Sequence, residues 1–234
     1  MTSGARSRWS WIPSLYFAEG LPYVAVMTVS VIMYKRLDIS NTAIAFYTSW
    51  LYLPWIIKPL WSPLVDLLST RRNWIVVMQV LIGAAFAAIA LTLPTDDFFR
   101  YTLAAFWLVA FSSATHDIAA DGFYILSLDD HDQAWFVGIR NTFYRLAMIT
   151  GQGLLVMVAG WLETSTGKVP LAWSITFYLL AGLYLVLFAW HRRMLPTTSA
   201  DVPGTFESVQ VLVAKFVETF IAFFRKQYIG RILA

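Results

Sequence analysis

The 234-residue sequence contains no cysteine, which excludes a disulfide framework, a thiolate metal site and a cysteine nucleophile. It is also poor in charge. Lys, Arg, Asp and Glu make up only 13% of it and apolar residues 59%, whereas a soluble domain is about a quarter charged. The mean hydropathy is +0.62, so water cannot be the solvent for most of this surface. The two-residue alternation of a membrane β-barrel is missing too. What remains is long apolar runs, and in lipid these form helices, because backbone groups there have no water to bond. The net charge of +3 would permit a nucleic-acid partner, but the bases sit in short loops between apolar runs, where they orient spans instead. No nucleic-acid partner is expected.

A helix needs about 20 mostly apolar residues to cross about 30 Å of hydrocarbon. Six runs qualify, at residues 10–33, 43–65, 74–94, 100–126, 136–161 and 171–190. The expected fold is an all-α membrane protein, a six-helix bundle filling residues 1–195. The first run is too long for a signal-peptide core and contains Glu19, so it reads as a retained span. Residues 196–226 read as a linker with an amphipathic helix, on Phe206, Val209, Leu212, Phe216, Phe220 and Phe223, lying on the membrane surface. Residues 227–234 read as the start of a truncated seventh span. Arg6, Arg8, Arg71, Arg72, Arg140, Arg192 and Arg193 fall on one side of the spans, against Lys35, Arg36, Arg100 and Lys168 on the other. By the positive-inside rule both ends of the bundle are cytoplasmic.

Charge inside the spans is scarce and arranged. An ionisable group at the bilayer centre costs about 2.5–3.5 kcal/mol on insertion scales and is a functional candidate by default. Glu19 lies in the first span, Lys58 in the second, Asp117 and Asp121 in the fourth and Arg145 in the fifth. In an antiparallel hairpin, residues equidistant from the turn share a depth. With the first turn centred between Asp38 and Ile39, Glu19 is level with Lys58; with the fourth centred on His131, Asp117 is level with Arg145. Each acid is therefore expected to face the base at its own level. Pairs that only fasten helices together are the alternative. Asp117 and Asp121 are four residues apart, on one face, and two carboxylates opposite one arginine leave a surplus acid, which is what proton coupling requires. Asp117, the deeper, is expected to carry the proton, and Asp121 to bind solute or gate the inner mouth. Gly20 and Pro22 should loosen the first span, and Gly151, Gly153 and Gly160 should let the fifth pack closely. His116 reads as a satisfied core residue.

These stretches resemble the AmpG-like permeases, relatives of the acetyl-coenzyme A transporters within the major facilitator superfamily. The resemblance rests on Glu19-Gly-Leu-Pro22, on Lys58-Pro-Leu-Trp-Ser-Pro-Leu-Val-Asp66, on Ala114-Thr-His-Asp117-Ile-Ala-Ala-Asp121, and on Tyr144-Arg145-Leu-Ala-Met148 with Gly151 and Gly153. It implies that the chain is the amino-terminal half of a twelve-helix transporter in the inner membrane. Its partners would be the lipid bilayer, the carboxy-terminal six-helix half, protons and a small solute, a cell-wall muropeptide in the AmpG case. It adds Tyr144 to the substrate-binding candidates. It also implies a cytoplasmic latch made by Asp66 with Arg71 and Arg72, although Ser62, Leu67 and Ser69 stand where the superfamily signature has glycine, a base and glycine. No cofactor or metal is expected. The competing reading is a membrane-embedded, metal-dependent lipid phosphotransferase using Asp117 and Asp121, whose upstream Asp-Gly and Ala-Arg signature is missing.

Overall fold

The structure, a computed structural model, describes residues 8–203 together with Ala214, Val217, Glu218, Ile221 and Arg225. Among the described residues, five helices are long and apolar enough to span a membrane: α1 (Arg8–Arg36), α3 (Arg71–Thr92), α4 (Phe98–Ser127), α5 (Asp130–Thr166) and α6 (Val169–Met194). Between the first two, α2 (residues 41–68) is helical but broken. The protein is thus an all-α membrane bundle. The expected amphipathic helix falls largely outside the described residues, and the expected seventh span entirely so.

The breaks in α2 follow its prolines. Pro54, Pro59 and Pro63 each fall in the first turn of a new segment, at Leu53–Ile57, Lys58–Leu60 and Ser62–Leu68. A proline tolerates that position, whereas inside a helix it deletes one hydrogen bond and collides with the preceding turn. The apolar run expected at 43–65 is therefore one span's worth of sequence in several short pieces. Polar side chains start three of the helices: Ser40, Thr70 and Asp129 accept the backbone N–H of Ala43, Asn73 and Asp132. Gly167, at φ 66°, ends α5 in the left-handed conformation that glycine adopts at no cost.

α3 packs between α4 and α6, while α1 lies against α5 and α4. Both α1 and α5 change to a wider π-helical turn midway, at Ala25–Val29 and Thr150–Leu155, and these turns touch. Glycine brings the two helices together. A methyl group on Gly20 would sit 2.9 Å from the carbonyl oxygen of Tyr144, and one on Gly151 would collide with Val24. Gly153 and Gly160, expected to serve the same purpose, face open space. Gly151→Ala is accordingly expected to cost about 1–3 kcal/mol, the usual range for overpacking, and Val24→Ala in the same chain to relieve it. Gly160→Ala is expected to cost nothing. Melting of the three variants in detergent checks this, and equal losses at Gly151 and Gly160 would contradict it.

Candidate functional site

α1, α2, α4 and α5 bring their ionisable residues to one level of the bundle. Lys58 stands at a break in α2, beside Pro59, and its Nζ donates to Asp117 Oδ2 on α4 at 2.7 Å. One turn along α4, Asp121 Oδ1 accepts from Arg140 on α5 at 2.9 Å and from the Tyr16 hydroxyl on α1 at 3.2 Å. The Arg140 guanidinium lies 4.5 Å from the centre of the Tyr16 ring and 5.1 Å from that of Tyr124. A cation over a ring face gains about 0.5–2 kcal/mol, more where water is excluded, so a carboxylate and two aromatic faces together fix this arginine.

Glu19 completes the group. It is 7% exposed, lies beside Asp117 within reach of Asp121, Arg140 and Lys58, and its Oε2 is buried without a hydrogen-bond partner. Three carboxyls therefore share two bases. Ionised carboxylates only accept hydrogen bonds, so two neighbouring carboxyls can be bridged only when one holds a proton.

The structure corrects both expected pairings. Glu19 and Lys58 share a depth, but Lys58 gives its charge to Asp117. Arg145 is exposed and forms no ion pair among the described residues. It lies five residues beyond Arg140, about 140° around the helix at 3.6 residues per turn, and so faces another way. Asp117 and Asp121 lie on one side of α4 as expected, yet each has its own base. The surplus acid is Glu19, not one of the aspartates. Tyr144 is half-buried, its backbone against Gly20.

Sequence reasoning missed Tyr16, Tyr124 and Arg140, the last read only as an orienting base. It also missed a group of rings above the charges, where Tyr23 meets Trp55 edge-on at 5.1 Å and Tyr52 stacks on Trp55 at 6.4 Å. Behind the charges runs a buried polar row. His191 Nε2 lies 3.0 Å from Ser14 Oγ, and Gln79 Nε2 lies 2.8 Å from His191 Nδ1 and 3.0 Å from His116 Nε2. His116 is buried as expected, but only on one side is it satisfied, since its Nδ1 has no partner.

At one end of the bundle Arg71 pairs with Asp66 at 2.7 Å. Arg72 does not join them. Its guanidinium donates to the carbonyls of Arg192 and Leu195 at the end of α6, at 2.6 and 3.2 Å. The backbone N–H groups of Arg71 and Arg72 both donate to Asp201, at 2.8 and 3.0 Å, which places a carboxylate at the positive end of α3. Arg71 also crosses Gly122, where any side chain would collide with it. Neither Asp201 nor Gly122 was singled out from the sequence.

Lysine and arginine occupy the carboxylates that a metal-dependent phosphotransferase would need. The site is instead that of a polytopic membrane protein holding compensated charges and one uncompensated acid in its interior. The chain belongs to the BT1 family, which it matches over residues 17–134, a range that takes in Glu19–Pro22, Lys58–Asp66 and Ala114–Asp121. It is 29% identical over 204 residues to the anhydromuropeptide permease of Escherichia coli (strain K12), covering 84% of this chain and 39% of the permease. An uncharacterized protein of Haemophilus influenzae is 29% identical over 181 residues, covering 74% of this chain and 40% of that protein. The chain thus spans about two fifths of the length of these relatives. The AmpG-like resemblance read from the motifs is upheld, and the E. coli relative is a permease rather than a lipid enzyme.

Proposed function

We propose that the chain is the amino-terminal half of a proton-coupled secondary transporter of the inner membrane. It takes up a cell-wall muropeptide or a related solute, and both ends of its six-helix unit are cytoplasmic. The observation that carries the coupling is the count of three neighbouring carboxyls against two bases, with Glu19, the one left without a base, the most deeply buried of the three. With Lys58 committed to Asp117 and Arg140 to Asp121, Glu19 is the group that can gain and lose a proton without breaking an ion pair. Tyr23, Tyr52 and Trp55 offer apolar faces to sugar rings, and the charges below them can receive the ionised groups of a peptide. This mixture matches a solute that is part sugar and part peptide, as the name of the E. coli relative implies for that protein.

The pair Asp66–Arg71, tied through Asp201 to the segment after α6, serves as the latch toward the carboxy-terminal half. Interrupted helices line cavities in many transporters, and α1, α2 and α5 carry interruptions here. The test is reconstitution into liposomes. The chain alone is expected to insert but take up nothing, because its cavity has one wall. Assembled with a carboxy-terminal half, it is expected to accumulate labelled anhydromuropeptide when the inside is made alkaline. Uptake by the chain alone would contradict the half-transporter reading, and an assembled protein that ignores anhydromuropeptide would contradict the substrate.

A further inference from the structure

Pro22 lies inside α1 and has no N–H to give the carbonyl four residues back, that of Ala18. A carbonyl released in the centre of a membrane bundle finds no water, so it must be met by another donor. Tyr184 on α6 meets it. Its hydroxyl donates to the Ala18 carbonyl at 2.6 Å, and the side chain is wholly buried. Gly83 on α3 backs the tyrosine closely, since a methyl there would come 3.1 Å from Tyr184 Cβ. The Ala18 carbonyl shares a rigid peptide plane with the N–H of Glu19. Whatever holds that plane sets the direction in which the Glu19 side chain leaves α1.

We propose that Tyr184 is a positioning residue for Glu19, its hydroxyl replacing the N–H that Pro22 lacks and so holding the Glu19 carboxyl against Asp117. The assignment goes beyond the transport reading, because it concerns the orientation of one carboxyl whatever the solute. A tyrosine that only filled space between α1, α3 and α6 would act through its ring, and its hydroxyl would be dispensable.

The test uses the purified chain in detergent. Dicyclohexylcarbodiimide, which reacts with carboxyls in apolar surroundings, is applied well below the melting temperature, and labelling at Glu19 is followed by peptide mass spectrometry. Tyr184→Phe is expected to change the labelling rate at Glu19 about fivefold, the factor that one lost hydrogen bond allows. Pro22→Ala restores an N–H to the Ala18 carbonyl, so adding Tyr184→Phe to Pro22→Ala is expected to change nothing. An unchanged rate in Tyr184→Phe would overturn the proposal even if its melting temperature fell. So would a double variant that departs from Pro22→Ala as far as Tyr184→Phe departs from wild type. If Tyr184→Phe does not fold, the double variant, which carries its own donor, must fold and label like Pro22→Ala, and its failure to do so counts against the proposal.

Discussion

Replacing Lys58 by methionine is expected to lower the unfolding free energy of the chain in detergent by about 2–4 kcal/mol, and adding Asp117→Asn to recover most of that loss. Methionine keeps the length of the lysine stem and removes only its charge, leaving Asp117 and Glu19 side by side with no base between them. Stripping one partner from a buried pair typically costs about 3–5 kcal/mol, because the other charge remains desolvated and unpaired. The value here is set lower because the Lys58 side chain keeps 33% of its surface exposed. The Asp117→Asn change removes the stranded charge, so the cycle should show strong coupling between the two positions. Lys35, which donates to Asn41 Oδ1 at 2.8 Å, is the control. Both residues are exposed, so Lys35→Met strands no buried charge and is expected to change stability little, as is usual for surface substitutions. Melting of the singles and the double reads the result. Losses that simply add would mean that Lys58 and Asp117 do not act on each other.

Depth was legible in the sequence, and partners were not. The rise per residue in a helix is fixed, so counting outward from a turn put Glu19 and Lys58 at one level, and the structure has them in one cluster. The same counting says nothing of rotation about the helix axis or of the gap between helices, and those decided that Lys58 should reach Asp117. Arg145 failed for the rotational reason. Arg140 was within reach of the method, since Asp121 and Arg140 are equidistant from the boundary between Asp130 and His131, but its nearness to the loop gave it the role of an orienting charge.

Hydropathy found the second apolar run and concealed its form. Windowed apolarity is blind to backbone donors, whereas Pro54, Pro59 and Pro63 each withdraw one and divide α2 at those points. Pro22 announced an orphaned carbonyl in α1 just as plainly. Its donor lay in another helix at a separation of 166 residues, and no local pattern carries such a contact. The Asp201 contact with Arg71 and Arg72 is of the same kind.

Glu19→Gln is expected to remove the coupling altogether. Glutamine has the shape and hydrogen-bonding groups of a protonated glutamate but cannot release a proton, so the site is held permanently in its loaded form. Such a protein should still bind solute and carry it down its own gradient, since Lys58–Asp117 and Arg140–Asp121 remain intact and no charge is stranded. The measurement is solute accumulation in liposomes by this half assembled with a carboxy-terminal half, wild type against Glu19→Gln, with and without an imposed proton gradient. Wild type is expected to concentrate solute only with the gradient, and Glu19→Gln to reach equal concentrations on both sides in either case while retaining solute exchange. A Glu19→Gln protein that still concentrates solute, above all if Asp117→Asn does not, would return the proton to Asp117 and contradict the count of three acids against two bases.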